Sequence, residues 1–100
     1  MTDKQLLEEK YRAQLAEWRA DIDKLKARAA QAQADARLDL ESQVDDLEGK
    51  REAAKRKLDE LRDAGDVAAA ELKAGLEMAF DDLGRGVRSA MDAFSRSSGA

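Results

Sequence analysis

The chain has 100 residues, two in five of them charged, only four aromatics, a formal net charge of -4, and no proline, cysteine or histidine. Disulfides are therefore excluded, as are histidine general bases, thiol nucleophiles and the usual transition-metal ligand sets, including the Glu-x-x-His pattern of di-iron bundles. Acids and bases are interleaved, so no strong field draws the chain to nucleic acid, and Ala, Leu, Arg, Glu and Lys make up more than half of it, the composition of long helices and coiled coils. No basic leader with an apolar core opens the chain, and no apolar run approaches the roughly 18 residues of a membrane span. The expectation is an all-α, cytoplasmic protein without a cofactor.

Thr2 or Asp3 suits the cap of a first helix. Apolar residues then recur in steps of four and three at Leu7, Tyr11, Leu15, Trp18, Ile22, Leu25, Ala29, Ala32 and Ala36, a heptad seam. The steps become four, four through Leu40 and Val44, which unwinds a left-handed supercoil locally, and alternation resumes at Leu47, Arg51, Ala54, Leu58 and Leu61. Gly49 lies on the polar side and reads as a weak point costing about 1 kcal/mol, not as a turn. Small residues crowd the segment 27–36, where the helix could bend into a third piece. The high helix propensity of alanine and the lack of a breaker favour continuity, so the reading is one long coiled-coil helix over 1–63.

The one strong turn signal is Ala64-Gly65-Asp66. Gly65 suits the left-handed position past a helix end and Asp66 the cap of the next helix. The turn is set at 64–66 and a second amphipathic helix at 67–95, with Leu72, Leu76, Phe80, Leu83, Val87, Met91 and Phe94 on one stripe; 96–100 reads as a disordered tail. Folding back at Gly65 places Leu58 opposite Leu72, Ala54 opposite Leu76, Leu47 opposite Leu83, Val44 opposite Val87 and Leu40 opposite Met91. The expected fold is thus an antiparallel coiled-coil hairpin of one long and one shorter helix.

Such a hairpin leaves half of the long helix uncovered. Leu7, Tyr11, Leu15, Trp18, Ile22 and Leu25 would form an exposed interaction seam, too apolar to stay wet, which predicts a homo-oligomer or a partner helix.

Features with chemical potential each have a plainer reading. The carboxylate pairs Asp35 with Asp39, Glu41 with Asp45, Asp45-Asp46 and Asp81-Asp82 read as solvated helix surface and not as metal sites. The basic cluster Lys50, Arg51, Lys55, Arg56 and Lys57 is the best candidate for phosphate contact, but Glu48, Glu52, Asp59 and Glu60 surround it, so no nucleic-acid binding is expected. Gly84 and Gly86 form a Gly-x-Gly without the strand or third glycine of a nucleotide loop. Met78, Phe80, Met91 and Phe94 would suit a lipid interface, although acids are as frequent as arginines on the opposite face.

The run Tyr11-Arg12-Ala13-Gln14-Leu15-Ala16-Glu17-Trp18-Arg19-Ala20-Asp21-Ile22-Asp23-Lys24-Leu25, then Ala32-Gln33-Ala34-Asp35-Ala36 and Ala64-Gly65-Asp66 leading to Leu72-Lys73-Ala74-Gly75, resembles a family of small bacterial coiled-coil domain-containing proteins, a stress-response family first noted in cyanobacteria. The resemblance covers residues 4 to 95, and its most specific marks are the Gln-Leu-x-Glu-Trp opening and the Ala-Gly-Asp turn. It implies no catalytic residues and an association with stress physiology. The expected function is that of a non-enzymatic structural or interaction protein working through its apolar seam. The alternative is a lipid-surface protein using the second helix.

Overall fold

The computed structural model describes residues 2–98, with side chains described through Ser95. Among the described residues it consists of three helices, α1 Asp3–Gln31, α2 Ala34–Asp63 and α3 Asp66–Ser98. The all-helical class expected from composition holds, but the single long helix over 1–63 does not. The chain reverses twice, and the hairpin becomes a three-helix bundle about 50 Å long and 20 by 16 Å across.

Both reversals use the same backbone device. Ala32 (φ -73°, ψ 156°) ends α1 and Ala64 (φ -83°, ψ 145°) ends α2, each in extended geometry. Their N–H groups donate to the carbonyls of Ala29 and Leu61, both at 3.2 Å. One more residue follows, Gln33 or Gly65, whose carbonyl accepts the first bond of the next helix from Arg37 or Ala69 at 2.8 Å. Gln33 makes no side-chain cap, and the Arg37 guanidinium donates back to the Ala32 carbonyl at 3.2 Å, bracing the first turn.

This geometry corrects the reading of the second turn. Among the described residues no glycine has a positive φ, so Gly65 is not a left-handed cap, and Asp66 already stands in the first turn of α3, where its charge complements the helix dipole. The tail reading is corrected as well: α3 continues through Ser98, while Gly99 and Ala100 lie outside the described residues. At the other end Thr2, of the two candidates Thr2 and Asp3, is the N-cap. Its Oγ1 accepts from the Gln5 N–H at 3.2 Å and Gln5 Oε1 accepts from the Thr2 N–H at 2.9 Å, a reciprocal capping box.

The order of contacts fixes the topology. Arg12 reaches Asp59 at 3.7 Å and Lys26 reaches Glu48 at 3.5 Å, so α1 and α2 are antiparallel. Lys50 reaches Asp82 at 3.7 Å and Leu47 lies against Gly86, so α2 and α3 are antiparallel too, in a register close to the predicted one. It follows that α3 runs parallel to α1.

The core is the union of the three stripes. Tyr11, Leu15, Ile22, Leu25 and Ala29 come from α1, Leu40, Val44, Leu47, Ala54, Leu58 and Leu61 from α2, and Leu76, Phe80, Leu83, Val87, Ala90 and Phe94 from α3. Leu7, Trp18 and Met91 pack against it while partly buried, and Leu72 is half-buried. Burying a leucine or phenylalanine contributes roughly 1.5–3 kcal/mol, which explains the reversal at Ala32-Gln33. A long helix would leave the α1 seam in water, and folding at Ala32 buries it within the same chain.

Candidate functional site

Four of the six residues predicted as an exposed interaction seam, Tyr11, Leu15, Ile22 and Leu25, are buried in the core, and Leu7 and Trp18 are partly buried. The overhang that called for a homo-oligomer is filled by α2 and α3 instead. Of the hairpin seam residues, Leu40, Val44, Leu47, Leu58, Leu76, Phe80, Leu83, Val87 and Phe94 share one core with Met91 against it, now with α1 as a third wall, while Leu72 lies outside that cluster. The same packing turns the apolar stripe of α3 inward, leaving Met78 as an exposed large apolar side chain (73 %) on that helix between Glu77 and Ala79.

One feature of the old seam stays open to solvent. Between the parallel helices α1 and α3 runs a groove of about 700 Å³, lined by Lys10, Tyr11, Gln14 and Trp18 of α1 and by Glu77, Met78, Phe80, Asp81, Gly84 and Arg88 of α3. Its floor is aromatic. The Tyr11 and Phe80 rings lie 4.3 Å apart, tilted by 45°, and Trp18 lies 5.8 Å from Phe80, tilted by 42°. Such tilted arrangements keep the positive ring edges near the negative faces.

Glycine shapes the groove. A Cβ at Gly84 would come within 2.8 Å of Trp18 Cζ2, so only glycine lets the indole lie against the α3 backbone. On the α2 side of the same helix, a Cβ at Gly86 would come within 2.8 Å of Leu47 Cδ2. The Gly-x-Gly pair thus serves close approach on two sides at once, with Gly84 toward α1 and Gly86 toward α2.

The rim is charged with both signs. Lys10 stands on α1, with its ammonium 5.8 Å from the Tyr11 ring centre, while Glu77, Asp81 and Arg88 stand on α3. Arg85 pairs with Asp81, and Asp82 turns away to Lys50, so the adjacent carboxylates diverge. Burial, with the negative charge of Glu77 adding to it, pushes the Tyr11 phenol above its ordinary value. The phenol therefore keeps its proton at physiological pH.

Among the described residues no group of three or more carboxylate, histidine or cysteine side chains could hold a metal ion, and no helix is long and apolar enough to cross a membrane. The arrangement offers apolar contact and charge pairing. No protein-family model, curated protein or solved structure matches this chain.

Proposed function

We propose that this chain is a non-enzymatic helical interaction module that receives an amphipathic partner helix in the groove between α1 and α3. The observation that carries the reading is the partly exposed Trp18 seated on Gly84, next to exposed Met78 and above the Tyr11–Phe80 floor. Partly exposed tryptophan over a buried aromatic floor is the composition of a binding hot spot. A fourth helix running antiparallel to α1 and α3 would turn the up-down-up bundle into an up-down-up-down one. The rim specifies its charge: a basic residue over Glu77 and, about three turns along, an acidic residue over Arg88. The stress-linked bacterial setting belongs to this reading through the family resemblance.

Trp18 is the only tryptophan, so its emission reports the groove directly. A synthetic helix with a leucine stripe, lysine over Glu77 and glutamate over Arg88 should shift that emission to the blue with saturation, and Met78→Asp should weaken binding at least tenfold. A peptide with the two charges exchanged should bind less well. Equal responses to both peptides, or none to either, would reject the reading.

A further inference from the structure

Within a single chain only the turn at Ala32-Gln33 buries the α1 seam, yet that turn is the less strongly encoded of the two. It lies in Ala27-Arg28-Ala29-Ala30-Gln31-Ala32-Gln33-Ala34-Asp35-Ala36-Arg37, where alanine, glutamine and arginine favour helix and neither glycine nor proline stands. Gln33 gives the first turn of α2 no side-chain cap, and the brace is an exposed bond from Arg37 to the Ala32 carbonyl at 3.2 Å. The reversal at Ala64-Gly65 differs. Glycine there disfavours helix, and Lys4 caps the Arg62 and Ala64 carbonyls at 2.8 and 2.6 Å.

The apolar period passes through the first turn as if it were absent. Ala29, Ala32, Ala36, Leu40 and Val44 follow one another in steps of three and four, although the chain reverses between Ala32 and Ala36. Ala29, Leu40 and Val44 are buried and Ala32 packs against the core, but Ala36 is exposed, a seam position that the monomer leaves unused. The register of α1 on α2 singles out the same residue. The two helices are antiparallel, and the points midway in sequence between Arg12 and Asp59 and between Lys26 and Glu48 fall within 35–37. Two copies of a continuous α1–α2 helix, laid antiparallel in this register, therefore have their two-fold axis at Ala36. Ala36 then meets its own copy, and Ala32 meets Leu40.

We propose that the chain also forms a domain-swapped dimer with a second copy of itself. The turn opens, residues 3–63 become one helix, and α1 of each copy packs on α2 and α3 of the other. The α1 contacts of the monomer recur between copies, including both ion pairs, the Lys4 cap and Trp18 on Gly84, and the contact at Ala36 is new. The dimer carries two α1/α3 grooves, each built from both chains, and its formation does not depend on a helix binding there. Exchange requires α1 to leave the core, so a folded monomer does not convert on concentration alone. The dimer forms where chains fold together in concentrated solution.

The test is refolding of the full chain from urea in dilute and in concentrated solution, each followed by size-exclusion chromatography with light scattering and X-ray scattering of the peaks. Dilute refolding should return the monomer. Concentrated refolding should add a dimer about 90 Å long, the span of a helix of some 60 residues, that reverts slowly on dilution. Gln33→Pro, which fits the turn but breaks the open helix, should lower the dimer yield at least tenfold. Ala36→Glu, which sets two carboxylates against each other only at the two-fold axis, should do the same. Both positions are exposed in the monomer, so thermal melts of the dilute-refolded variants should match the parent. Monomer alone after concentrated refolding, or a dimer whose yield either substitution leaves unchanged, would overturn the assignment.

Discussion

Trp18 and Gly84 are complementary: the indole occupies the volume that any side chain at position 84 would fill, 2.8 Å from the site of its Cβ. Gly84→Ala should gain about 1 kcal/mol in helix propensity and lose more through overpacking, which typically costs about 1–3 kcal/mol. The net expectation is a loss of about 1 kcal/mol with a red-shifted Trp18 emission as the ring leaves the groove. Gly49 is the control, because a Cβ there meets nothing within 4 Å and its φ is not positive. Gly49→Ala should stabilise the protein by about 1 kcal/mol in thermal or urea melts. Stabilisation by both substitutions to the same extent would mean that the indole does not pack on Gly84.

The first reversal makes its own prediction. Gln33 has φ -66°, Ala32 before it is already extended, and no backbone hydrogen bond from the Gln33 N–H is observed. Proline fits all three conditions. Gln33→Pro should therefore leave stability within about 1 kcal/mol of the parent, whereas inside a continuous helix it would cost about 3 kcal/mol. Urea denaturation monitored by circular dichroism separates the two.

That reversal also marks how far the sequence was legible. The apolar stripes of all three helices, the Thr2 cap, the continuity of α2 through Gly49 and the antiparallel register of α2 on α3 follow from spacing and from residue preference. The break at Ala32-Gln33 does not, because alanine and glutamine favour helix and no proline or glycine stands there. Packing imposes it: the α1 seam from Tyr11 to Ala29 is buried only if the chain turns. The local hint was the change of step through Ala36, Leu40 and Val44, just beyond the turn. The groove was half legible, with Tyr11 and Trp18 placed on the interaction seam and Phe80 on the stripe of the second helix. Gly84 acquires its meaning only once α1 is folded alongside α3.

Tyr11 gives a pH dependence with a definite sign. Its phenol is raised above the ordinary value of 10.0, first by burial and then by Glu77. The folded state thus holds the proton more tightly than the unfolded state, so the contribution is complete below about pH 10 and is lost as pH rises through the folded value. As the only tyrosine, Tyr11 can be followed alone by phenolate absorbance. Its titration midpoint should lie above 10, Glu77→Gln should bring it partway back, and Tyr11→Phe should flatten the alkaline fall in stability. A midpoint at the ordinary phenol value would contradict its placement.

Lys4 joins two chain segments far apart in sequence. Its ammonium donates to the carbonyls of Arg62 at 2.8 Å and Ala64 at 2.6 Å, at the negative end of the α2 dipole. Lys4→Met keeps the alkyl length and removes the donor. It should cost about 1 kcal/mol and raise amide exchange at the end of α2 and the start of α1, with the middle of the bundle unaffected. Uniform acceleration of exchange along all three helices would show that Lys4 is not a local cap.

The central claim is that the apolar seam of α1 is buried by the chain's own α2 and α3. Small-angle X-ray scattering over a concentration series tests it most directly, since it reads mass and shape together. The bundle predicts a monomeric mass of 11.0 kDa and a radius of gyration near the 15.7 Å of its Cα atoms, slightly enlarged by hydration and constant with concentration. A rod approaching about 90 Å, the length of an unbroken helix of some 60 residues, or a dimer forming as concentration rises, would show that the seam is covered by another chain.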